Sequence, residues 1–106
     1  MMERKDVFAM LKSAGMPVAY RQWAPAKPPP LPYVVFFRTG RSDAYADNSN
    51  YAKVTRWCAE LYSEGKHDDG EAAIERALSE NETTYSINET GDQGDFFLVA
   101  YYFDTI

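Results

Sequence analysis

This 106-residue sequence predicts an α+β fold: a mostly antiparallel or mixed sheet of about four strands with two helices packed on it. Three observations carry that expectation. Two segments, 3–14 and 69–80, place apolar residues at helical spacing and are bounded by cap and stop signals. Four other segments are rich in β-branched and aromatic residues and end at Gly, Asp or Asn. Their order along the chain is helix, strand, strand, helix, strand, strand, an α+β layout. The length suits one domain spanning 1–106, which buries roughly two thirds of its unfolded-chain surface in one modest core.

The first helix is read over 3–14. Val7, Phe8, Met10, Leu11 and Ala14 fall near one face, with Glu3, Arg4, Lys5 and Lys12 off it. Gly15 and Met16-Pro17 stop it, because Gly suits the cap and Pro cannot continue the helix. Residues 24–32 form a Pro-rich connector that is neither helix nor central strand, since Pro fixes φ and removes a donor. A PxxP-type ligand has the same composition, but a stiff lead into the next strand is the simpler reading. Tyr33 to Thr39 is the clearest strand, apolar on both faces and therefore expected in the middle of the sheet. Gly40 is expected to end it, and 41–50 reads as a polar loop. A short arm around 51–53 leads into a strand over 54–62.

Residues 65–70 form a turn. Asp68 or Asp69 is expected to cap the second helix, and Glu71 adds negative charge to its first turn. Ala72, Ala73, Ile74, Ala77 and Leu78 give the buried stripe. Residues 83–88 and 95–103 are expected to pair as a hairpin across the Gly- and Asp-rich link 89–94. Phe96 to Phe103 is nearly all apolar, so it too is expected to be central.

Composition narrows the function. Hydrophobic residues at 45% and charged residues at 25% argue for a folded domain rather than a disordered chain. Aromatics at 15%, eight of them Tyr, can fill a core or line a partner surface. A net charge of −5 argues against a general nucleic-acid binder, although DNA could pass such a surface without sticking. The lone cysteine, Cys58, allows no intrachain disulfide and no cysteine zinc site. The N-terminus lacks a signal peptide's apolar run, and no segment approaches the ~20 apolar residues that span a bilayer.

Catalytic and metal motifs are not found. His67 lies beside Asp68 and Asp69, but adjacent positions seldom converge on one ion, and a solvated turn is the simpler reading. Cys58 has only His67 as a histidine base and no signature around it, so it reads as a buried thiol. Asp43 and Asp47 lack the spacing and terminal Glu of a calcium loop. No cofactor is expected, and no enzyme activity. Scattered carboxylates such as Glu60, Asp68 and Asp95 would need a defined separation in space to act together.

Several segments, taken together, resemble a known family. They are Pro32-Tyr33-Val34-Val35-Phe36-Phe37 after a Pro-rich lead; Ala46-Asp47-Asn48; Ala59-Glu60-Leu61-Tyr62; a helix with Glu71, Ile74, Glu75 and Leu78; and a final hairpin with an aromatic strand. Over about residues 15–106 the chain is similar to small minor tail proteins of long-tailed bacteriophages and prophages, the tail terminator or head–tail joining group. The resemblance implies an α+β subunit that assembles as a ring, commonly a hexamer, at the tail tube end. It implies partners among other tail or connector proteins, and residence in the host cytoplasm during assembly and then in the virion tail. Asp43, Tyr45, Asp47, Asn48 and Asn50 fall in the family's polar loop and would be candidate interface residues. Charge reversal at Asp43 and Asp47 is then expected to disturb assembly while changing stability by less than ~0.5 kcal/mol. The dense prolines, and Trp57 and Cys58 within 51–58, depart from the pattern and leave terminator or connector open. The alternative is a small acidic module that binds and regulates a host protein.

Overall fold

The computed structural model describes residues 2–23, 28–46 and 49–106. In chain order its elements are α1 (Arg4–Lys12), β1 (Val18–Tyr20), β2 (Tyr33–Arg41), β3 (Ala44–Ala46), β4 (Ser49–Ala52), β5 (Thr55–Ser63), α2 (Asp68–Glu80), β6 (Tyr85–Asp92) and β7 (Phe97–Thr105). The class is α+β, as the sequence implies. The main sheet has five strands in the order β1-β2-β5-β7-β6, and β3 and β4 form a separate two-stranded ribbon. The sheet is mixed because β1 runs parallel to β2 while every other neighbour is antiparallel.

The strand missing from the sequence reading is β1. Three residues are too short to display a period, and only their pairing with Val34, Val35 and Phe36 makes Val18-Ala19-Tyr20 a strand. Much of the polar loop read at 41–50 is strand: Arg41 ends β2, 44–46 form β3 and 49–50 open β4. β2 passes through Gly40 with a bulge at its end, and its partner β5 starts opposite Arg41. The ribbon β3–β4 continues outward from that pair, with Tyr45 and Asn50 as Cα partners. Composition disguised this hairpin, because ladder hydrogen bonds use the backbone and tolerate polar side chains. β6 likewise runs further than expected, to Asp92, through a bulge that places Gly91 at φ +92°. The turn is tighter for it. Gln93 N–H donates to Phe96 O at 2.8 Å, and Gly94, also at positive φ, donates to Asp92 Oδ1 at 2.8 Å. Of the Pro-rich connector, residues 24–27 lie outside the described residues, and 28–32 carry no regular element.

Both helices lie on one face of the sheet. Val7, Met10 and Leu11 of α1 and Ile74, Ala77 and Leu78 of α2 join Val34, Phe36, Trp57, Ala59, Leu61, Val99, Tyr101 and Phe103 in one core. The strand register explains the set: Phe36, Ala59 and Tyr101 are successive Cα partners, as are Val34, Leu61 and Val99. Period-two alternation then sends their neighbours to the other side. Ala72 is exposed rather than buried, and Phe8 sits at the rim of the core with 39% of its surface exposed.

Helix α2 starts at Asp68, one residue earlier than expected, and neither Asp68 nor Asp69 caps it. His67 is the N-cap, and its Nδ1 accepts the Gly70 N–H at 2.8 Å. A ring nitrogen can serve there because any acceptor near the free N–H groups of the first turn suffices. Asp68, Asp69 and Glu71 fill that turn instead, where the helix dipole favours them. Gly70 is buried for a related reason: a Cβ would lie 2.6 Å from His67 Nδ1. At the far side of α2, Glu75 accepts hydrogen bonds from Tyr85 at 3.1 Å and Tyr101 at 3.0 Å. Lys66 pairs with both Glu71 and Glu89, tying the start of α2 to β6.

Candidate interaction surfaces

The face of the sheet opposite the helices is rich in apolar side chains, and no described helix lies over it. Val35 and Phe37 of β2, Cys58 and Tyr62 of β5, and Leu98, Ala100 and Tyr102 of β7 point to it by register. Its small residues form a sunken floor: Val35, Cys58 and Ala100 are buried although they lie outside the main core. Their cover is the ring of larger side chains around them, and those are half-buried or, for Tyr102, 43% exposed. At one end the aromatics form a continuous row. Trp23 meets Tyr33 at 5.5 Å, Tyr33 stacks on Tyr62 at 5.1 Å, and Tyr62 meets Phe96 at 4.9 Å between ring centroids. Such a row presents a large, stiff, amphipathic surface at low entropic cost.

One carboxylate sits in the middle of this face. Glu60 has Val35 and Ala100 as Cα partners and accepts a hydrogen bond from Tyr62 Oη at 2.9 Å. Burial, with Glu60 adding to it, pushes the Cys58 thiol up from 9.0 to about 11. Cys58 is thus a protonated, 1% exposed wall of the sheet rather than a nucleophile. His67 is committed to its cap at the start of α2, Asp68 opens the same helix, and Asp95 belongs to the β6–β7 turn. Among the described residues no group of three or more His, Cys, Asp or Glu side chains could hold a metal ion. No described helix is long and apolar enough to cross a membrane.

The candidate interface residues of the 41–50 segment fare unequally. Asp43 is a structural anchor. Its carboxylate is 6% exposed, pairs with Arg41 Nη2 at 2.6 Å and accepts the Val54 N–H at 3.1 Å. These contacts pin the base of the β3–β4 ribbon to the end of β5, beside the Ser42 N–H to Val54 O bond. Tyr45 and Asn50 are carried on β3 and β4, and Asp47 and Asn48 lie outside the described residues. Asp43→Ala is therefore expected to lower stability by about 1–3 kcal/mol, the range for leaving a buried donor, here the Val54 N–H, without its acceptor. Urea denaturation checks it, and a change below ~0.5 kcal/mol would return Asp43 to the solvated class.

A second feature of the surface was overlooked by counting net charge alone. Residues 1–63 hold nine basic and five acidic side chains, while residues 64–106 hold two basic and eleven acidic ones. The fold turns this division of sequence into a division of space. β1, β2 and β5 fill one side of the sheet with α1 beside β1, whereas β7 and β6 fill the other with α2 bonded to them through Glu75. The two sheet edges thus differ in sign. The signal was present in the sequence as a charge asymmetry between halves.

No protein-family model matches the chain, and no curated protein compared with it matches either.

Proposed function

We propose that this chain is a structural virion-assembly subunit of a long-tailed phage or prophage, acting in a ring that terminates the tail tube or joins it to the head. One observation supports the reading above the others. β2 and β7 carry apolar residues on both faces, the pattern of strands buried on both sides, and β5 adds Cys58 and Tyr62 on either side of Glu60, yet both helices cover the opposite face. That helix-free face, with Tyr33, Phe37, Tyr62, Phe96 and Tyr102 half-buried or exposed, fits burial against another protein, since large aromatics are enriched where proteins meet. The similarity of Pro32-Tyr33-Val34-Val35-Phe36-Phe37 and Ala59-Glu60-Leu61-Tyr62 to tail terminator and joining proteins names the kind of assembly. In this reading the chain turns over no substrate and binds no cofactor.

The acidic half of the chain favours a second reading, a module that occupies a basic site on a host protein, because eleven carboxylates lie within residues 64–106. Mixing the purified protein with tail tubes or capsids from the same source, and imaging by electron microscopy, separates the two. A ring of added density at the tube end or neck is expected. Absence of binding at concentrations well above micromolar, with retention of one host protein by the immobilised chain, would replace the first reading by the second.

A further inference from the structure

The two edges of the sheet fit one another, and we infer that subunits join head to tail, the β6 edge of one copy seating in the α1/β1 groove of the next. The inference rests on the ring reading and adds the contact surfaces to it. A ring of identical subunits requires a heterologous interface, in which two different patches meet and the rotation closes.

The groove lies between α1 and the sheet. Phe8, Tyr20 and Phe36 form its apolar wall, and Arg4, Lys5 and Glu3 form its rim, enclosing about 410 Å³. Phe8 is 39% exposed although it lies 6.3 Å from Phe36 between centroids, and Tyr20 meets Phe36 edge-on at 5.1 Å. Arg4 lies over the Tyr20 ring at 4.8 Å, which holds its guanidinium group at this mouth, and Lys5 beside it is ion-paired with Glu3 at 3.8 Å.

The opposite edge carries the matching features. Ile87 is the Cα partner of Tyr101, so it points to the same helix-bearing side of the sheet as the groove, but it lies beyond α2 and is 48% exposed. Around it the chain is acidic: Glu80, Glu82, Glu89 and Asp92 lie on or next to β6, and all four are exposed. Glu89 is tied to Lys66. β6 is also an open strand edge, the position where a sheet invites a partner. An exposed apolar knob within carboxylates on one edge, and an apolar groove rimmed by Arg4 and Lys5 on the other, make one complementary pair on a single chain. A second copy supplies both halves at once.

Two experiments on the full chain test this. In the first, F8C and I87C are made separately in a Cys58→Ser background, mixed, and oxidised on tail tubes or in concentrated solution. Disulfides between F8C of one copy and I87C of another, forming at least tenfold faster than F8C–F8C or I87C–I87C pairs, are expected. Same-type pairs, or no pairing in rings that wild type visibly forms, overturn the inference and leave the ring reading standing. A chain that never associates or binds a particle overturns both.

The second experiment keeps the wild-type apolar contacts. An R4E/K5E variant and an E82K/E89K variant are each expected to associate at least tenfold more weakly than wild type at low salt. An equimolar mixture of the two should recover to within about threefold, because each reversed edge then meets its reversed partner. The loss should shrink as salt screens the rim. Loss of association in both variants without rescue on mixing would overturn the pairing of these two edges.

Discussion

Replacing Trp57 by alanine is expected to lower the unfolding free energy by about 3–5 kcal/mol, the usual range for truncating a buried aromatic. Trp57 is 2% exposed and is among the largest fully buried side chains. It packs on Phe36 at 6.0 Å between centroids, and its Nε1–H donates to Thr105 Oγ1 at 2.8 Å. That hydrogen bond spans the β5–β7 pair where Thr55 and Thr105 are Cα partners, so the indole both fills the core and latches the end of the last strand. A domain of this size has a total stability of roughly 5–15 kcal/mol, so the loss is a large fraction of the whole and should lower the unfolding midpoint markedly. Urea denaturation at neutral pH measures the loss. Thr105→Val isolates the latch, because it leaves the buried N–H without its acceptor at a cost of about 1–3 kcal/mol. A loss below ~1 kcal/mol for Trp57→Ala would mean that the site collapses around the gap and that the core is not organised on this residue.

Raising the pH above 9 is expected to weaken the fold progressively. Burial pushes the Cys58 thiol up from 9.0 to about 11. Burial, and then hydrogen bonds to Glu60 and Glu75, push the Tyr62 and Tyr101 phenols well above the ordinary value of 10.0. In each case the folded chain holds a proton that the unfolded chain releases. The stability these groups confer is therefore complete below pH 9 and is lost as pH rises through 9 to 11, with the phenols adding steepness above 10. For Cys58 alone the difference amounts to roughly 2–3 kcal/mol once fully expressed. Denaturant midpoints between pH 7 and 11 check this. Cys58→Ala should flatten the part between pH 9 and 10 and leave the steeper tyrosine region. Constant stability up to pH 11 would show that neither the floor of the open face nor the Glu75 clamp is kept dry.

Local pattern determined much of this fold. The 3.6-residue spacing over Val7, Met10 and Leu11, and over Ile74, Ala77 and Leu78, located both helices, because a helix buries a stripe that short-range sequence can display. The first one ended at Lys12, two residues before the expected end, with Ser13 as its C-cap and Gly15, at φ +92°, in the turn beyond. Tyr33–Arg41, Thr55–Ser63 and Phe97–Thr105 were legible as strands from their β-branched and aromatic content, and so was the α+β class. β1 and β3 were not legible, because each is a strand only by virtue of a partner, and β4 was read only in part, as the short arm around 51–53.

The surfaces divide in the same way. The sequence by itself determined that β2 and β7 have two apolar faces and that most basic residues fall in the first 63 positions and most acidic ones after them. Only the tertiary structure decided that both helices cover one face, that Asp43 is an anchor rather than a free contact, and that the two charged halves end at opposite edges of the sheet. The physical reason is range. Periodicity and capping act over a few residues and are written in neighbouring letters, whereas layer order, strand order and the meeting of Asp43 with Val54 depend on contacts that close only when distant segments pack.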